Sequence, residues 1–179
     1  MPMTGKEMDA YYLLYIVIED LEWDWSQNCS RRSDMKYHFT LHTEENGRYW
    51  AEGIELPRCV TQGETLQELT EYLKDVLNLY LNEPQGSNVT FPLPDEYIEE
   101  NDSILSIPVD SRIAFPLMMK NFRLQHKLTQ EQAQNIIGLA NRNSYVRLEN
   151  TGNPTLETLD KVVRAFPDFP IDRCFSVRV

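Results

Sequence analysis

Between residues 37 and 80 the apolar side chains change their spacing, and no other feature constrains the fold as tightly. Tyr37, Phe39, Leu41 and Thr43 alternate with His38, Thr40 and His42. A period of two sends the two sets to opposite faces of a pleated backbone, the pattern of a half-buried strand. Asn46-Gly47 follows, a pair that tolerates the positive φ angles of a tight hairpin turn. Residues 48–56 then read as a second strand carrying Tyr49, Trp50, Ala51 and Ile54. Pro57 ends it, because proline cannot donate to a ladder. Val60-Thr61 is a candidate short third strand. From Gly63 the spacing becomes helical, and Leu66, Leu69, Leu73, Val76, Leu77 and Tyr80 make a face wide enough to cover a small sheet. Thr65 and Glu68 have the spacing of a capping box. Glu64, Glu68 and Glu71 crowd the positive end of that helix. Pro84-Gln85-Gly86-Ser87-Asn88 stops it, and residues 103–109, with Ile104, Leu105, Ile107 and Val109, return a strand to the sheet.

Beyond residue 110 only helical spacing remains. A first helix over 112–127 contains Pro116, which is tolerated if it lies in the first turn. Thr129-Gln130-Glu131-Gln132 is a second capping box, opening a helix that Gly138 ends. A third helix covers 141–150, and Thr151-Gly152-Asn153-Pro154 makes a turn. Thr155 caps a fourth, carrying Leu156, Leu159, Val162, Val163 and Phe166, which Pro167 stops. The fold class is α+β: a ββ(β)αβ unit followed by an all-α unit.

The chain has 179 residues, 41% of them apolar and 25% charged, as in ordinary globular proteins. This excludes a disordered chain, a collagen-like chain and a disulfide scaffold. The longest apolar run, residues 10–18, is far short of the roughly 20 residues that a membrane helix needs. Glu19, Asp20, Glu22 and Asp24 follow it at once, so neither a signal peptide nor a membrane partner is expected. Cys29, Cys59 and Cys174 are odd in number and far apart, as free thiols in a reducing cytoplasm would be. The net charge of −11 is unevenly spread: residues 1–100 hold seven Lys+Arg against twenty Asp+Glu, residues 101–179 ten against eight. An acidic half repels nucleic acid and suits a basic partner, whereas a mildly basic half can touch phosphates.

The segment from Leu128-Thr129-Gln130-Glu131-Gln132-Ala133 through Ile137-Gly138 to Ser144-Tyr145-Val146-Arg147-Leu148-Glu149 resembles a helix-turn-helix of the phage-repressor type. Small Ala133 lets two helices approach, and Gly138 makes the turn. The next helix then offers Asn141, Arg142, Asn143, Ser144 and, one turn on, Arg147. Asn and Arg can make bidentate contacts to adenine and guanine in the major groove. Thr129 and Gln130 are placed to hold phosphate. The alternatives are a plain helical bundle in which Thr129-Gln130 is only a cap, and a helix-turn-helix that binds protein.

Upstream, Met35-Lys36-Tyr37-His38-Phe39-Thr40-Leu41-His42, then Gly47-Arg48-Tyr49-Trp50-Ala51-Glu52, then the run from Cys59 to Leu69 resemble the opening of HicB antitoxins. Leu77-Asn78-Leu79-Tyr80-Leu81-Asn82-Glu83-Pro84 fits too, and Ser144 to Glu149 is similar to an element of the helix-turn-helix subclass of that family. The resemblance implies a partial ribonuclease-H-like domain over 35–110 that binds and blocks HicA, a small basic toxin that cleaves messenger RNA. It implies a DNA-binding domain over 111–179 that represses the protein's own operon, and a homodimer or higher homo-oligomer on a two-fold operator. Residues 1–34 precede the usual start of the family. They are expected to be either an added element packing on the sheet or a mis-assigned start.

Aromatic anchors and carboxylates suit a basic partner, so Tyr49, Trp50, Glu52 and Glu55 are the expected toxin contacts. No catalytic set is expected: Glu44, Glu45 and Glu52 carry no mark of a two-metal cluster. His38 and His42 share a strand face without the further ligands that zinc requires, and read as exposed or toxin-contacting. No metal or cofactor is expected. The alternative function is a stand-alone transcription regulator whose first domain senses another ligand or protein.

Overall fold

The alternation at residues 37–43 is realised as strand β1, Lys36–Thr43, in a computed structural model that describes residues 34–82 and 89–175. Expectations for the apolar run at 10–18, the leading segment, Cys29 and the stop signal at 84–88 lie outside the described residues. Strands β2 (Tyr49–Gly53), β3 (Val60–Gly63) and β4 (Ile104–Pro108) complete an antiparallel sheet of order β3-β2-β1-β4. His42 stands opposite Trp50, which stands opposite Gln62; Thr40 stands opposite both Glu52 and Ile104. Of the Asn46-Gly47 pair only Gly47 takes a positive φ, +83°. The hairpin is therefore wider than a two-residue turn: Gly47 N–H donates to Glu44 O at 3.0 Å and Glu44 N–H to Arg48 O at 2.8 Å. Strand β2 is shorter than residues 48–56, because Gly53 N–H turns to Cys59 O at 2.8 Å and opens a loop.

Helix α1, Leu66–Leu81, buries Leu69, Leu73, Leu77 and Leu81 against Tyr37, Phe39, Ala51 and Ile107. A Cβ on Gly63 would lie 2.6 Å from the Leu69 amide nitrogen, so only glycine lets β3 pass this close to the helix. Thr65 accepts the Glu68 N–H at 3.2 Å, but Glu68 reaches one residue further than the usual box, to the Glu64 N–H at 2.7 Å. That amide, then the Tyr72 hydroxyl, hold the Glu68 carboxyl below its ordinary pKa.

Helix α2, Ser111–Gln125, carries Pro116 at its sixth position, in the second turn and not the expected first. The carbonyl released by the missing amide is that of Arg112. It lies against Gly152, where a Cβ would come within 1.8 Å of it. The helix ends before the expected residue 127, because Lys127 takes φ +56°. Lys127 N–H donates to Leu124 O and Leu128 N–H to Arg123 O, both at 3.0 Å, the double closure of a Schellman motif. Helices α3 (Gln130–Ile137), α4 (Arg142–Asn150) and α5 (Leu156–Ala165) follow, then a 3-10 turn, Ile171–Cys174.

All described residues belong to one compact unit, Ser33–Val179, and share one hydrophobic core. Phe122 meets Phe166 and Phe169 edge-on at 5.2 and 5.3 Å, and Phe169 meets Phe115 at 6.0 Å. Met35 N–H donates to Arg173 O at 3.2 Å, and Val109 N–H to Met35 O at 2.9 Å, so the 3-10 turn is tied to the entry of β1. Among the described residues no helix is long and apolar enough to cross a membrane.

Candidate functional site

The sheet has two unlike faces. Tyr37 and Phe39 turn to α1 and are fully buried, with Leu41 packed beside them. The alternate positions, Thr40, His42, Trp50, Glu52, Val60 and Gln62, form the other face. His42 and Trp50 stack there with ring centroids 3.9 Å apart and planes within 12°. Glu52 is exposed, its Oε1 3.9 Å from His42 Nε2. Glu44, Trp50, Val60, Thr61 and Gln62 line a shallow recess at the β2–β3 edge.

The four residues expected to contact a protein partner do not share this face. Trp50 and Glu52 lie on it, whereas Tyr49 lies one position away on the core side and packs against the core. The Glu55 side chain is only 9% exposed. Its carboxylate accepts the His38 N–H at 2.9 Å and the Asp95 N–H at 3.3 Å, and pairs with His38 Nδ1 at 2.6 Å. This clasp holds the β2–β3 loop and the segment around residue 95 onto β1. His38 is accordingly buried and bonded, not exposed. A two-residue Asn46-Gly47 turn would set Trp50 opposite Thr43; the wider hairpin sets it opposite His42, so alternation alone did not reveal the stack.

In the helical part, Thr129 is spent on the cap: Thr129 N–H donates to Gln132 Oε1 at 2.8 Å and Gln132 N–H to Thr129 Oγ1 at 3.1 Å. Asn141 caps α4, accepting the Ser144 N–H at 2.9 Å and the Ser144 hydroxyl at 3.1 Å. Gly138 takes φ +73° between α3 and α4. Arg142, Asn143 and Arg147 stand exposed, Asn143 and Arg147 one turn apart on the same side of α4.

Behind them lies a cluster that residue spacing did not reveal. The Glu149 side chain is 4% exposed and that of Arg123, from α2, 12%. Arg123 Nε donates to Glu149 Oε1 at 2.5 Å and Nη2 to Oε2 at 3.2 Å, while Nη1 reaches Leu128 O at 3.0 Å. The Tyr145 hydroxyl donates to Glu149 Oε1 at 3.1 Å. Gln130 Nε2, from α3, donates to Oε2 at 2.9 Å. Burial alone would lower the Arg123 pKa, but the Glu149 hydrogen bonds and charge outweigh it and raise it. Burial first, then Glu149, push the Tyr145 hydroxyl well up. The missed signal was a glutamate in phase with Tyr145 and Leu148 on the apolar side of α4.

Both described cysteines are free and buried. Burial raises Cys59 to about 11. Burial, then Asp172, raises Cys174 to about 12. Among the described residues no group of three or more His, Cys, Asp or Glu side chains is placed to hold a metal ion.

No family model matches the chain. Proteins named Antitoxin HicB from Escherichia coli K12 and from Escherichia coli O157:H7 are each 30% identical to it over 104 residues, which is 58% of this chain and 73% of theirs. Antitoxin HicB 1 of Photorhabdus laumondii is 25% identical over 136 residues, 74% of this chain and 82% of its own.

Proposed function

Because this chain belongs to the HicB antitoxin family, we propose that it neutralises a HicA-type toxin with its sheet and represses its own operon with its helices. In this reading residues 35–110 are a toxin-binding domain of partial ribonuclease-H-like type. Residues 111–179 are a DNA-binding helix-turn-helix domain, and two or more copies act on a two-fold operator. The protein acts by occlusion and not by catalysis.

The observation that carries the toxin side is the half-exposed sheet face opposite α1. A stacked Trp50–His42 pair with Glu52 beside it offers an aromatic anchor and a negative charge on the acidic half of the chain. Large aromatics dominate interface energetics, and carboxylates speed and orient the approach of a basic partner. On the DNA side, Arg142, Asn143 and Arg147 project from one short helix, of the types that read guanine and adenine edges. Thr129 and Asn141 contribute there as caps, with Ser144 bonded to Asn141. Gln130 links α3 to α4. Tyr49 and Glu55 support the toxin face from behind, through the core and through the His38 clasp.

Growth rescue tests the proposal. The small basic protein encoded beside this gene is induced with and without this chain. Arrest by the neighbour alone, relieved by this chain and not by Trp50→Ala/Glu52→Lys, is the expected result. Unrelieved toxicity, or a harmless neighbour, would leave a transcription regulator whose sheet serves another ligand.

A further inference from the structure

We propose that Gln130 is a positioning residue that holds the Arg142 guanidinium ready for DNA by linking it to the buried Glu149 carboxylate. This rests on the DNA-binding reading above. It changes the part assigned to Gln130 from a phosphate contact to a link between two other side chains.

The link is continuous from the interior to the surface. Arg123 fixes Glu149 through two hydrogen bonds, and Tyr145 adds a third. Gln130 Nε2 donates to Glu149 Oε2 at 2.9 Å. Gln130 Oε1 accepts from Arg142 Nη2 at 3.2 Å. The chemistry fixes the orientation of this amide. A carboxylate only accepts and a guanidinium only donates, so the NH2 end must face Glu149 and the oxygen must face Arg142. Rotating the amide by half a turn would break both bonds.

The spacer also decides where Arg142 points. Direct pairing with Glu149 would draw the guanidinium into the protein and neutralise it. With a neutral amide between them, Arg142 keeps its full charge, remains exposed, and is held through a single N–H. The other N–H groups of its planar fork, on an exposed side chain, are available to a phosphate or a guanine edge. A long side chain ordered in advance loses less entropy on binding, which in fold-change terms is roughly twofold to tenfold in affinity per side chain.

The test uses the full chain and two readouts. Gln130→Met keeps the stem and removes both polar ends; Gln130→Ala is the second variant should methionine repack. First, 15N relaxation of the Arg142 Nε in the free protein reports its order. It should fall in Gln130→Met while thermal unfolding stays cooperative, and unchanged order would overturn the link. Second, fluorescence anisotropy compares a duplex carrying the protein's own promoter with a scrambled duplex. Gln130→Met should weaken promoter binding about threefold to tenfold, Arg142→Ala at least as much, and the double variant no more than Arg142→Ala alone. Additive losses would mean that Gln130 acts on DNA by itself and would overturn its positioning role only. A parent that binds promoter and scrambled duplex equally would overturn the DNA reading, and this proposal with it.

Discussion

Replacing Glu149 by alanine tests the cluster that joins α2, α3 and α4. The substitution removes the acceptor for Arg123 Nε and Nη2, Gln130 Nε2 and the Tyr145 hydroxyl at one stroke. It leaves Arg123 with a side chain 12% exposed and no counter-charge. Breaking a buried pair from one side costs about 3–5 kcal/mol, because the surviving charge has lost both water and partner. For a chain of this length each kcal/mol moves the melting temperature by about 2–4 °C, so the expected fall is roughly 6–20 °C. Urea unfolding followed by far-UV circular dichroism and by tryptophan fluorescence gives the free energy. The double variant Arg123→Met/Glu149→Met should be less damaging than Glu149→Ala, since it leaves no stranded charge; a recovery on the order of 2 kcal/mol is expected. A Glu149→Ala protein within about 1 kcal/mol of the parent would refute the reasoning, as would a double variant that merely adds the two single losses.

Gly152→Ala should be far more damaging than Gly138→Ala: both have positive φ, but the Gly152 Cβ would lie 1.8 Å from Arg112 O, and that of Gly138 meets nothing within 4 Å. Gly138→Ala should cost about 1–2 kcal/mol, and equal melting temperatures for the two variants would contradict the close approach of the 151–154 turn to α2. Cys59 and Cys174 should resist iodoacetamide at pH 8, read residue by residue by mass spectrometry, and react once the chain is unfolded. Their thiols are raised to about 11 and about 12, so the stability they contribute is whole below the unfolded thiol value, about 8.5, and is lost as pH climbs from there through the folded values. Fast labelling of the native protein would contradict their burial. Asn143→Ala and Arg147→Ala should each weaken promoter binding by about 1–3 kcal/mol if they read bases, and full-strength binding by both would mean that α4 meets DNA through another face.

Periodicity made the elements legible: the alternation at 37–43, the leucine face of α1 and the capping sequence at Thr129 each appear where their spacing places them. What escaped the sequence depends on partners distant along the chain. Pro116 sits beyond the first turn because Gly152, far downstream, accommodates the released Arg112 carbonyl. Lys127 ends α2 in a conformation that favours glycine, so residue type gave no warning. Glu55 looked like a surface carboxylate on a strand, yet the strand stops at Gly53 and the loop turns the side chain onto His38. Glu149 read only as the last residue of the Ser144–Glu149 element, and the packing of α2 against α4 is what brings Arg123 to it. Of the expected contact residues, Glu52, Arg142, Asn143 and Arg147 stand exposed on their strand or helix, whereas Trp50 is half-buried under its stack with His42.

One protein with two separable surfaces is the central claim, and a crossed binding measurement tests it most directly. The parent, Trp50→Ala/Glu52→Lys and Asn143→Ala/Arg147→Ala are each titrated with the purified neighbouring toxin and with promoter DNA. The account predicts that the sheet variant loses the toxin and keeps the DNA, while the helix variant loses the DNA and keeps the toxin. Loss of both ligands by either folded variant, or of neither by both, would contradict it.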